Sequence, residues 1–188
     1  NRGIDAKPRL EMLKLVAIDS REGPTAEEAE AAAPRPLISI AAAPPTIISR
    51  AEWGANEAWM TWDPEYLPPS HFVVHHTATT NDDVNPAATV RAVYYYHAVT
   101  QGWGDIGYNY IIDRNGRIYE GRRGGDGVIA AHARQFNPGT VGISIIGDYT
   151  YVDVPSPAVN SLIELLAWKG NLHSVHPLES SPILGITL

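Results

Sequence analysis

Cysteine is absent from this 188-residue chain, which removes disulfides, thiolate metal ligands and a thiol nucleophile at once. Compartment cannot be argued from redox chemistry and has to come from function. Long apolar runs are missing too: none approaches the roughly 20 residues that span a bilayer. Basic residues are scarce, with 14 Lys and Arg against 21 Asp and Glu for a formal net charge of -7. No basic stripe forms, and nucleic acid is not an expected partner. There is no Gly-x-Ser-x-Gly elbow and no phosphate loop. The chain opens on Asn1 with neither a signal sequence nor an initiator Met, and reads as a processed chain or a fragment.

What is present suits one globular domain with material left over, at 44% hydrophobic and 19% charged residues. Residues 1–46 read as the end of an upstream region plus a tether. The alternation LKLVAID suggests a last strand of something upstream, while TAEEAEAAAPRP (25–36) and AAAPPT (41–46) bury too little apolar surface to offset their ordering entropy. The domain is expected over residues 47–188, beginning at IISRAEWGA.

Within it the elements alternate. FVVHHT reads as a short, buried, β-branched strand between PPS and TNDD. From Asn85-Pro86, Val90, Val93, Tyr94 and His97 recur at helical spacing. Two alternating runs around Asn115-Gly116 predict a hairpin, because that pair tolerates positive φ. TVGISIIGDY (140–149) is a further strand of buried type. SPAVNSLIELLAWKG (156–170) predicts a helix with Ser156 as cap, Pro157 as first residue, an apolar stripe of Val159, Leu162, Ile163, Leu166 and Ala167, and Gly170 as stop. The sum is an α/β fold with a central mixed β-sheet flanked by helices.

Histidines and a tyrosine carry the chemistry. Strand parity puts Val73, His75 and Thr77 on one face and Val74 and His76 on the other, so the two adjacent imidazoles cannot aim at one point from a regular strand. Either serves as a metal ligand or as a hydrogen-bonded partner. His97 on its apolar stripe reads as a core histidine or a ligand. Tyr94, Tyr95 and Tyr96 point in successive directions and read as packing and surface residues. Tyr108, after GWGDIG, is placed to donate to a developing oxyanion or to be tied off in the core. His132 lies in a loop, solvated or functional. HSVHP (173–177) is a weak metal signal without neighbouring ligands.

In order and spacing the segments resemble one family, the type 2 N-acetylmuramoyl-L-alanine amidases and the related peptidoglycan recognition proteins. The matching blocks are SRAEWGA (49–55), FVVHHTATT (72–80), YHAVTQGWGDIGYNYIIDRNGRIYEGR (96–122) and AAHARQFNPGTVGISIIGDY (130–149), followed by a helix after VPSP. The resemblance implies the family's mixed-sheet fold and roles for individual residues. His75 matches a zinc ligand. His76 and Thr77 match positions lining the groove for the muramyl peptide stem, and Tyr108 matches the tyrosine beside the zinc. His97 and His132 match residues facing that groove, and Arg122 and Asn137 fall in blocks bordering it. The implied reaction is zinc-assisted hydrolysis of the amide between N-acetylmuramic acid and L-alanine of peptidoglycan, by a secreted, extracellular or cell-wall-associated bacterial protein. Some members bind peptidoglycan without catalysis, which is the rival reading.

One departure bears on this. Family members complete the zinc site with a Gly- or Ser-His-Arg-Asp segment and a later Cys or Asp before Pro-Gly. Neither follows WKGNLHSVHP, where the chain runs through LESSPILGITL to Leu188. Truncation is the expectation. His173 and His176 lack the flanking residues of the missing block and are not expected to substitute.

Overall fold

The turn at Asn115-Gly116 shows how locally this chain commits itself. Asp113 Oδ1 accepts from the backbone N–H groups of Asn115 (2.9 Å) and Arg117 (3.0 Å), and Gly116 takes a φ of 83° that a side chain would resist. The result is an antiparallel pair, β3 (Tyr110–Ile112) against β4 (Ile118–Glu120). A computed structural model describes residues 43–175, which lie within a compact unit, Ala41–Val175. LKLVAID, the TAEEAEAAAPRP stretch and His176 fall outside the described residues.

Around the hairpin stand β1 (Ile47–Ile48), β2 (His71–His76) and β5 (Thr140–Ile145), giving the strand order β1-β4-β3-β5-β2. Only β3 and β4 run antiparallel; β1 is parallel to β4, and β5 is parallel to both β3 and β2. The sheet is therefore mixed.

Helices cover both faces. α1 (Arg50–Trp53) starts at a capping box in which Ser49 accepts from Glu52 N–H and Glu52 accepts from Ser49 N–H. α2 (Pro86–Tyr95) is capped by Asn85, with Pro86 in its first turn, and widens into a single π turn over Tyr96–Thr100. On its side Val90, Tyr94 and Ala98 bury against Trp53, Ile106, Ile111 and Tyr119. α3 (Ser156–His173) closes the opposite face, setting Ala158, Leu162 and Leu165 against Ile112, Ile118, Val141 and Ile143. No helix among the described residues is long and apolar enough to cross a membrane.

Four expectations need correction. β2 is not a buried strand: it pairs only with β5, takes the sheet edge among the described residues, and leaves Val74 39% exposed. The cap position of α3 is Pro155, whose carbonyl accepts from the N–H groups of Ala158 and Val159; Ser156 is already helical. Gly170 does not stop that helix, which runs to His173 and ends at Ser174 in the left-handed conformation. Its buried line is Ala158, Leu162, Leu165 and Lys169, and Ala167 is exposed. A stripe read from apolar residues alone missed the lysine, whose ammonium lies 3.8 Å from the Trp168 ring centre and pairs with Asp126.

Candidate functional site

The two histidines of β2 part as strand parity requires. His75 stands in register with Ser144 of β5 on the α2 face. His76 is in register with Ile145 on the α3 face, where its Nδ1 accepts from Tyr149 N–H at 2.9 Å and lies 3.6 Å from Asp148. The structure does not bring His76 to the cluster around His75.

That cluster is built from four elements. His132 approaches from the loop before β5, with its Nδ1 3.0 Å from His75 Nε2. Tyr108, just before β3, lays its ring 5.6 Å from His75 and 5.4 Å from His97. His97 comes from the π turn, stacks on Trp103 with centroids 4.6 Å apart, and accepts from Gly107 N–H at 3.0 Å through Nδ1. Thr77, Thr79, Ala92, Tyr96, His97 and Tyr108 line a groove of about 320 Å³ beside it. Between the two threonines Ala78 takes a φ of 52°, rare for a residue with a side chain, and the Thr77 and Thr79 hydroxyls meet at 2.7 Å.

Asn137 and Arg122 lie one layer back. Asn137 Oδ1 accepts from the backbone N–H groups of His132 (2.9 Å) and Ala133 (2.7 Å), pinning the loop that presents His132. Arg122 is buried, with its guanidinium 4.1 Å from the Trp62 ring centre, and donates to the carbonyls of Ile106 (3.2 Å) and Trp103 (3.1 Å). It braces the loop carrying Tyr108 from beneath. His173 is far from the cluster, 3.6 Å from Asp126 on the α3 side.

Burial sets the charge state. It pulls His132 down to about 4, helped by the neighbouring His75, and His97 also to about 4, helped by Arg122. His75 is lowered for the same reason, with His76 adding to it. Burial raises Tyr108 above the usual phenol value, with Ser144 pulling slightly the other way. At neutral pH the cluster therefore holds neutral imidazoles, which offer lone pairs, beside a protonated phenol, which offers a hydrogen bond.

Sequence reasoning missed Gly142, Thr140 and Asn109. A Cβ on Gly142 would fall within the His132 ring, so this glycine is the space the imidazole occupies. Asn109 bridges Gly142 N–H (2.8 Å) and the Val128 carbonyl (3.0 Å), locking the strand beneath. The interruption of TVGISI by glycine was the available signal for a close approach.

Fold and site together define a mixed-sheet α/β protein with an imidazole and phenol cluster beside a groove. The family model for N-acetylmuramoyl-L-alanine amidases (Amidase_2) matches residues 65–185, and the chain belongs to that family. Peptidoglycan-recognition protein SC1a of Drosophila melanogaster is 36% identical over 123 residues, covering 64% of each chain. The N-acetylmuramoyl-L-alanine amidase of Sus scrofa is 36% identical over 118 residues, 61% of this chain and 19% of that one. The chain thus spans less than two thirds of the length of these curated relatives. Among solved structures, the complex of tracheal cytotoxin with the ectodomains of peptidoglycan recognition proteins LCa and LCx aligns with a TM-score of 0.62 and 33% identity, over 70% of this chain and 79% of that one. Drosophila peptidoglycan recognition protein SD aligns with a TM-score of 0.62 and 30% identity, over 69% and 77%. The expected family and mixed-sheet fold are borne out. The bacterial source implied by the resemblance draws no support from these animal relatives.

Proposed function

We propose that this chain carries the muramyl-peptide groove of a peptidoglycan amidase that hydrolyses the bond between N-acetylmuramic acid and L-alanine. The observation that carries the reading is the convergence of His75 and Tyr108, rings 5.6 Å apart, beside the groove lined by Thr77 and His97. Membership of a family that includes named amidases, and similarity to a protein solved with tracheal cytotoxin, support it. In this reading the stem peptide lies along the threonine hydroxyls. Tyr108 stays protonated and donates to the oxygen of the scissile amide as negative charge develops there. His97, stacked on Trp103, forms part of the groove's wall. Peptidoglycan is an extracellular polymer, so the protein works outside the cell.

Zinc fits the described residues only in part. A catalytic zinc takes three protein ligands, and no group of three or more His, Cys, Asp or Glu among the described residues is placed to hold a metal ion. His75 is the ligand we assign, and the described residues do not complete a site around it. This same observation favours a second reading, a binding module that holds muramyl peptide without cleaving it.

Calorimetry with a monomeric muramyl peptide, with and without EDTA, and chromatography of released stem peptide separate the two. The amidase reading expects zinc-dependent release that His75→Ala abolishes together with zinc uptake; release and zinc retained in that variant sink it. The binding module expects affinity indifferent to EDTA and no release at any zinc concentration.

A further inference from the structure

Thr77 and Thr79 stand two residues apart, a spacing of roughly 7 Å in extended chain. Their hydroxyl oxygens nevertheless meet at 2.7 Å, because Ala78 between them takes a φ of 52° and turns the backbone sharply. That left-handed conformation crowds a Cβ and persists only where the surroundings hold it. They hold it on both sides. Before Ala78, Thr77 N–H donates to the Ile145 carbonyl at 3.0 Å, and Thr77 Oγ1 accepts from Gly147 N–H at 3.0 Å. After it, the Asn81 side chain pairs with the Asp148 backbone, donating to the carbonyl at 2.8 Å and accepting from N–H at 2.7 Å, while Arg114 donates to the Asn81 carbonyl at 2.9 Å. Gly147 admits this clamp: a Cβ there would fall 2.3 Å from Asn81 Oδ1.

Two hydroxyls carry two hydrogens, and the contact between them uses one, whichever oxygen donates. Gly147 N–H occupies a lone pair of Thr77 and no hydrogen. One O–H is therefore left with no acceptor among the described residues, and both threonines line the groove. None of the described residues lining it is Asp, Glu, Lys or Arg, so a carboxylate lodged there would lose water without meeting an opposite charge. A neutral acceptor suits the hydroxyl, and a peptide supplies one at every carbonyl.

We propose that Ala78 is a positioning residue: its left-handed turn pairs Thr79 with Thr77, and the remaining hydroxyl hydrogen donates to a backbone carbonyl of a peptide in the groove. That this peptide is a muramyl stem rests on the amidase-family reading above; the hydroxyl pair does not.

Calorimetry of the full chain with a monomeric muramyl peptide is the test, with thermal unfolding to confirm that each variant folds. Ala78→Gly adopts positive φ freely and should keep wild-type affinity, whereas Ala78→Val, whose branched side chain resists it, should lose about five- to tenfold. Thr79→Val should lose as much, and Thr79→Ser should keep affinity. The double variant Ala78→Val/Thr79→Val should bind no more weakly than either alone, since both remove the same hydrogen bond; a merely structural role gives losses that add. Wild-type affinity in Thr79→Val, or additive losses in the double variant, overturns the proposal. If Ala78→Val fails to fold, Thr79→Val against Thr79→Ser decides. No binding by wild type overturns the muramyl-peptide reading and the donor role with it, whereas wild-type binding that Thr79→Val leaves intact removes the donor role alone.

Discussion

His97 and His132 each hold a neutral imidazole at a cost that depends on pH. Both are depressed to about 4 in the folded chain, against an ordinary value near 6.5. Between those values the unfolded chain binds protons that the folded chain refuses, so stability is full above about 6.5 and falls as the pH drops toward 4. Each contributes at most about 1.4 kcal/mol per pH unit. Urea unfolding at pH 7, 6 and 5 should show that decline, and His97→Gln should flatten it by one histidine's share. Gly142→Ala places a methyl where the His132 ring lies; a loss of about 1–3 kcal/mol is expected by thermal unfolding, with the His75–His132 hydrogen bond broken. Tyr108→Phe keeps the ring and removes the donor. In the proposed reaction it should slow stem-peptide release by roughly 10²–10³-fold, while calorimetric affinity changes little.

At the scale of elements, legibility followed the reach of the interaction. The hairpin and α2 were readable because Asn115-Gly116 and Asn85-Pro86 act on their own neighbours. Shortening the cap by Asn85→Ala should cost about 1 kcal/mol in denaturant unfolding. The phase of α3 was misread because its fourth buried position is Lys169, polar by type yet only 1% exposed. Asp126→Asn strips that ammonium of its counter-charge and should destabilise the chain, whereas Lys169→Met should be close to neutral by the same measurement. Parity separated His75 from His76 correctly, but nothing local says that His132 will reach His75. That contact joins residues 57 positions apart, across two strands and a helix. The edge position of β2 was hidden for the same reason: a short apolar run reads alike at the edge and in the middle of a sheet.

For the molecule as a whole, the family and the sheet set the frame, and the chain's order within the sheet has a kinetic consequence. Of the four strand pairings only β3 with β4 joins sequence neighbours; β1 must wait for β4, and β2 for β5. Closing those long loops costs entropy before any contact repays it, so the hairpin is the natural nucleus and β2 docks late. Stopped-flow refolding should then show Arg117→Ala, which unties the hairpin from Asp113, slowing refolding, while Val73→Ala in β2 mainly speeds unfolding. Because His75 rides on that last strand, the imidazole pair assembles only at the end of folding. A nascent chain would hold its β2 and loop histidines apart until its sheet is complete.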